Sequence, residues 1–205
     1  MSRFSVRRLM RHSKKMICFY LPVLIVFAAG CGGPDVIRDL SDRSFQLVNQ
    51  DSSTVVFPDD YRGDLLVIGF IYTHCPDICP AITANLTNVQ RKLDETDGVK
   101  FVGITFDPER DTPSTLKQYM NLYNVSPPQW SFLTGRPTVI DSLMSEMGIL
   151  VRRTEPDTSK TDPNQYYITH TNRITLIDQA GRIRAEYPGS FASPEQITED
   201  LHRLQ

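Results

Sequence analysis

Leu65-Leu66-Val67-Ile68-Gly69-Phe70-Ile71-Tyr72-Thr73-His74-Cys75-Pro76-Asp77-Ile78-Cys79-Pro80 is the stretch on which the reading of this chain turns. Its first half, Leu65 to Tyr72, is an almost unbroken apolar run behind the turn-forming pair Gly63-Asp64. That pattern suits a strand buried on both faces at the centre of an α/β sheet. Beyond Pro80, the apolar residues Ile82, Leu86, Val89 and Leu93 recur at helical spacing and stop before Asp97-Gly98. The two cysteines therefore straddle the point where a central strand hands over to a helix, and α/β sheets build their sites at such strand ends.

Cys75 and Cys79 lie four apart. In helical geometry four residues rise about 6 Å and close one turn, so both sulfurs can face the same way. Unpaired amides at a helix N-terminus favour thiolate, and a thiolate pair can bind a soft metal or form a reversible disulfide. Two other readings stay open on spacing alone. A structural disulfide would close a short loop and stabilise little. A structural zinc site would need a fourth protein ligand. Three histidines follow residue 30: His74 beside Cys75, His170 between two late strands, and His202 in the terminal helix.

Working outward, Phe45 to Val48 and Thr54 to Phe57 read as a short strand pair, and Val99 to Phe106 as a second buried strand. Asp107 ends that strand, on the sheet edge where the cysteines are expected. Asp107-Pro108-Glu109-Arg110 reads as a turn, and Thr112 before Pro113 as a helix start running to about Asn124. A strand from Trp130 to Leu133, a helix opened by Pro137 and a strand from Ile149 to Val151 follow. Thr154 to Gln165 is polar and reads as a surface loop. Tyr166 to Thr169, Ile174 to Ile177 and Arg182 to Tyr187 read as strands, the last two joined by a hairpin, before a closing helix from Ser193-Pro194 to Leu204. No internal repeat interrupts what reads as one α/β domain.

The chain has 205 residues, 40% of them apolar, which suits one ordinary core and excludes intrinsic disorder. A formal charge of −2 speaks against a nucleic-acid partner. That charge is unevenly spread: residues 1–30 hold six basic residues and no acid, leaving −8 on the remainder. A basic start, an apolar run from Met16 to Ala29 and small residues before Cys31 read as an export signal. The run is about 14 residues and contains Pro22, short of the roughly 20 of a spanning helix. Ala28-Ala29-Gly30-Cys31 resembles a bacterial lipobox, with Ala28 where Leu or Val is usual, and an ordinary signal peptide is the alternative. The expected organisation is 1–30 as signal, 31–44 as tether and 45–205 as the folded domain, working outside the cytoplasm at a bacterial membrane or in the periplasm.

Thr73-His74-Cys75-Pro76-Asp77-Ile78-Cys79-Pro80, Asp107-Pro108-Glu109-Arg110-Asp111-Thr112-Pro113 and Tyr166-Tyr167-Ile168-Thr169-His170 together resemble the Sco/SenC family of copper chaperones. The resemblance covers nearly everything after Phe45. It implies a thioredoxin-like domain, with a central mixed sheet flanked by helices and an N-terminal short strand pair. It also implies a tether to the membrane, for which the lipobox reading supplies lipidated Cys31, and Cu(I) or Cu(II) held by Cys75, Cys79 and His170. Asp107 and Asp77 become candidates for steadying a ligand or docking a partner. The implied partner is the copper-site subunit of cytochrome c oxidase, whose dinuclear copper site the family helps assemble; other copper chaperones or thiol-disulfide oxidoreductases are further partners. Dithiol exchange on partner cysteines is the alternative activity, and thiol peroxidase chemistry a third. Thioredoxin-like oxidoreductases have two residues between their cysteines and a nearby cis-proline. This chain has three, and no proline from Thr169 to Arg173, which favours metal binding.

Overall fold

A computed structural model describes residues 33–93, 98–154 and 166–205. Residues 1–30, read above as an export signal, Cys31 and nearly all of the polar Thr154–Gln165 stretch lie outside the described residues. In chain order the strands are β1 (Arg38–Asp39), β2 (Phe45–Asn49), β3 (Thr54–Phe57), β4 (Leu65–Ile71), β5 (Val99–Thr105), β6 (Trp130–Thr134), β7 (Val151–Arg153), β8 (Ile168–His170), β9 (Arg173–Ile177) and β10 (Arg182–Pro188). The helices are α1 (Ile78–Lys92), α2 (Pro113–Leu122), α3 (Pro137–Glu146) and α4 (Pro194–Leu204).

Eight strands form one mixed sheet in the order β1-β10-β9-β4-β5-β6-β2-β3. β4 and β5 run parallel at its centre, in register from Leu65↔Val99 to Ile71↔Thr105. Every β4 side chain is buried, which is why its sequence does not alternate. Parallel pairing requires a crossover, and α1 supplies it directly after the cysteine motif. The apolar face of α1, including Ile82, Leu86 and Val89, is buried. On the other side β4 meets β9 antiparallel, and β9 turns back into β10 through Asp178 to Gly181.

Two glycines make the close layer packing possible. Gly69 and Gly103 are paired across β4 and β5. A Cβ on Gly69 would come within 2.9 Å of Ile82 and Leu86 side-chain atoms, and one on Gly103 would overlap the Phe132 ring. Thr112 and Ser193 cap α2 and α4 through their hydroxyls, each ahead of a proline in the first turn.

Three local outcomes differ from the sequence reading. Arg38–Asp39 pairs with β10 and Leu40 is fully buried, so part of the stretch read as a tether is built into the sheet. Phe106 leaves the ladder after Thr105, its amide donating to the Ile71 carbonyl at 3.2 Å. The late strand starts two residues later and ends one residue later than read: β8 spans Ile168–His170 and pairs with β7 in a separate two-stranded sheet. His170 therefore sits on a strand opposite Val151, rather than in the connection after one.

Gly103→Ala should cost about 1–3 kcal/mol by forcing the Phe132 ring aside, which for a domain of this size lowers Tm by several degrees. Thermal unfolding of the metal-free chain checks this; an unchanged midpoint would show that the ring can move freely.

Candidate metal centre

The motif after β4 leaves the sheet at Tyr72 and enters α1 at Ile78. Asp77 caps this helix, its carboxylate accepting from the Ile78 amide at 2.6 Å. The turn is held from beneath by Asp111, which is fully buried. Its carboxylate accepts from the Thr73 amide at 3.0 Å, the Thr73 hydroxyl at 2.5 Å and the Thr105 hydroxyl at 2.6 Å. Burial pushes the Asp111 carboxyl above its ordinary range, opposed by those hydrogen bonds.

Within this frame the Cys79 amide donates to Cys75 Sγ at 3.3 Å, and the Tyr72 amide to Cys79 Sγ at 3.5 Å. Both cysteines are buried and both are free thiols. The third member comes from β8: His170 Nε2 lies 3.6 Å from Cys79 Sγ. The ligating atoms of Cys75, Cys79 and His170 all fall within 4.8 Å of one another. Ninety-one residues separate Cys79 from His170, so the group exists only because the fold assembles it. Among the described residues it contains no fourth His, Cys, Asp or Glu, which leaves a structural zinc cage incomplete.

The histidine is presented in a definite form. Its Nδ1 is 3.0 Å from the Thr171 carbonyl oxygen, which can only accept, so Nδ1 carries the proton. Nε2 is the nitrogen that faces the sulfurs: it donates to thiolate while it carries a proton and offers a lone pair to a metal once that proton is gone. The ring is flanked by Phe106, with centroids 4.4 Å apart, and meets Tyr72 edge-on.

The two sulfurs are electrostatically unequal. Hydrogen bonding from Cys79 holds Cys75 down at about 3, assisted by His170 and the backbone amides of Cys79 and Asp77 against the opposing effect of burial. Burial pushes the Cys79 thiol up, and the adjacent Cys75 adds to that. The surroundings thus drive the two sulfurs in opposite directions, Cys75 toward thiolate and Cys79 toward thiol. Cys75 opens onto a cleft of about 280 Å³ lined also by Asp77, Ile78, Thr169 and His170.

Of the two carboxylates singled out in the sequence, neither enters the group. Asp77 is exposed; besides capping α1 it lies 3.8 Å from Cys75 Sγ. Asp107 is fully buried and serves the histidine strand at one remove. It accepts from the Tyr166 hydroxyl at 2.7 Å and from Arg110 Nε at 2.5 Å. Arg110 in turn donates to the Tyr166 carbonyl at 3.2 Å and stacks 3.6 Å from the centre of its ring. His74 is exposed beside Thr73, and His202 is exposed on α4. Tyr72, Phe106, Arg110 and Tyr166 were not anticipated as site residues. Of these, Tyr166 carries a sequence signal, since it stands with Ile168 and His170 at the alternate spacing of a strand face.

The unequal thiols give a pH signature. Reaction of Cys75 with iodoacetamide should stay on its plateau down to about pH 5, with Cys79 unmodified, as read by mass spectrometry of the metal-free chain. A rate that falls tenfold per unit below about pH 8, as for an ordinary thiol, would contradict it. The same depression makes the Cys75 contribution to stability rise with pH between about 3 and 9, because there the unfolded chain binds the extra proton.

A family model described as SCO1/SenC matches residues 37–205. The solved structure of Bradyrhizobium japonicum ScoI with copper bound is 31% identical, covers 79% of this chain and 98% of that one, and superposes with a TM-score of 0.68. A SCO1/SenC family lipoprotein from Bacillus anthracis is 29% identical over 82% of this chain and 95% of its own, with a TM-score of 0.69. BsSco, described with a disulfide switch and as a member of the Sco family of cytochrome c oxidase assembly proteins, is 25% identical over 84% and 97%, with a TM-score of 0.66. The mixed sheet with its four helices is the thioredoxin-like fold of these proteins. On the extent of the family match and the agreement of fold, the chain belongs to the SCO1/SenC family.

Proposed function

We propose that the chain is a copper chaperone that holds Cu(I) or Cu(II) through Cys75, Cys79 and His170 and passes it to the copper-site subunit of cytochrome c oxidase. The observation that carries this reading is the convergence of two sulfurs and one imidazole nitrogen within 4.8 Å in a SCO1/SenC chain. The donor set suits the cargo: two thiolates and one imidazole form a soft, low-coordinate shell of the kind Cu(I) accepts, with room for an oxygen donor where Cu(II) needs one. The copper-bound Bradyrhizobium relative and the oxidase-assembly description of BsSco support both parts.

The residues do the handling. Cys75 is already a thiolate, so it meets the ion first, and Cys79 must give up its proton as it ligates. His170 completes the shell from a separate strand. A site closed by three groups and opening on a cleft exchanges ligands with an incoming cysteine pair more readily than a sealed cage. Export and lipidation at Cys31 place this work at the outer face of a bacterial membrane; the relative described as a lipoprotein supports that placement. No helix among the described residues is long and apolar enough to cross a membrane.

A second reading, thiol-disulfide exchange on partner cysteines, is favoured by the same thiolate beside a protonated thiol: Cys75 can attack a partner disulfide and Cys79 can then resolve the mixed disulfide. The two readings separate at His170. Titration of the reduced chain with Cu(I) against a competing chelator should give one equivalent bound, lost in Cys75→Ser and weakened at least about tenfold in His170→Ala. Disulfide reduction that survives His170→Ala, alongside copper uptake unaffected by that substitution, would move the assignment to the second reading.

A further inference from the structure

We propose that Tyr72 is the positioning residue that holds His170 over the cysteines, using its phenol oxygen as a tie between the two halves of the site. The inference rests on the copper-binding reading above. Tyr72 is 2% exposed and stands where β4 ends, so its ring is part of the core and its location is fixed. Its amide donates to Cys79 Sγ at 3.5 Å, which joins its main chain to one sulfur. Its phenol oxygen accepts the Ile168 amide at 3.3 Å, two residues before His170. Its ring also meets the His170 imidazole edge-on, with centroids 6.1 Å apart and planes at 86°.

The tie is needed because of how β8 is paired. Among the described residues the only ladder partner of β8 is β7, with Arg152 opposite Thr169 and Arg153 opposite Ile168. The Thr154 amide donates to the Tyr167 carbonyl at 2.8 Å and the Thr171 amide to the Leu150 carbonyl at 3.0 Å. In an antiparallel pair, hydrogen-bonded and unbonded positions alternate, so residues 167, 169 and 171 face β7 with their polar groups and residue 168 faces away. Ile168 is buried, and its amide would be orphaned without the phenol oxygen. The strand is thus gripped at alternate residues: Tyr166 by Asp107 and Arg110, Ile168 by Tyr72, and His170 by contact with Cys79. Removing the middle grip frees the residue that leads into the ligand.

A core aromatic with no such role would predict something different, and Tyr72→Phe separates the two because it keeps the ring and deletes the oxygen. In the full-length metal-free chain, amide exchange at Ile168 should accelerate at least about tenfold while the central amides of β4 and β5 stay as slow as in the unsubstituted protein. In the reduced chain, competition titration with Cu(I) should show binding weakened about tenfold. Placed in a His170→Ala background, the same substitution should add less than about twofold, since the residue it positions is already gone. Unchanged exchange at Ile168 would overturn the proposal, as would exchange raised throughout the sheet. An equal loss of copper affinity with and without His170 would also overturn it, by showing that the phenol acts on the sulfurs or the fold. Absence of copper uptake by the unsubstituted chain would instead sink the copper-binding reading, so the two failures are distinguishable.

Discussion

The 3.6 Å approach of His170 Nε2 to Cys79 Sγ is the contact on which the site depends, because it joins two parts of the chain that share no ladder. The cysteines belong to the central sheet through β4 and α1. The histidine belongs to a small two-stranded sheet that packs against the end of that core. Local sequence supplies a thiolate and a thiol; only the packing of β8 supplies the imidazole. What holds β8 in place therefore decides whether the group is a dithiol or a three-donor metal centre.

Buried polar groups provide much of that hold, and they differ in strength. The Asp107 bonds to Tyr166 and Arg110 start from a carboxylate with no exposure, so each is charge-assisted and shielded from water. Arg153 also lies 3.9 Å from Asp107, but its side chain is 47% exposed and it is shared with Glu109, so it adds little. Asp111 plays the matching part on the cysteine side, anchoring Thr73. Two buried aspartates of one motif thus brace the two halves of the site. Among the described residues Arg110 Nη2 is buried without a hydrogen-bond partner, beside the contact of the guanidinium with the Tyr166 ring.

The central architecture was legible because its signals are local. The predominantly apolar runs at Leu65–Tyr72 and Val99–Phe106, each behind a Gly-containing turn, read as buried strands, and Thr112-Pro113 and Ser193-Pro194 mark helix starts by their own chemistry. The edges were harder. β1 is two residues long and has no apolar pattern, since pairing with β10 rather than burial defines it. The sequence reading starts this strand two residues before β8 because Tyr166-Tyr167 look like strand residues, whereas Tyr166 is spent on Asp107 and Tyr167 meets Thr154 at the margin of the ladder. The ligand trio emerged from the resemblance of three motifs, because no spacing rule connects residues 75 and 170. Asp107 could be placed on the right sheet edge, but its action through Tyr166 needed coordinates.

A shell of two sulfurs and one nitrogen is the central claim, and X-ray absorption at the copper edge of the Cu(I)-loaded, full-length chain tests it most directly. The account predicts scattering from two sulfurs and one imidazole nitrogen, with the imidazole contribution lost in His170→Ala. A sulfur-only shell, or a shell that keeps its imidazole signal after that substitution, would contradict it.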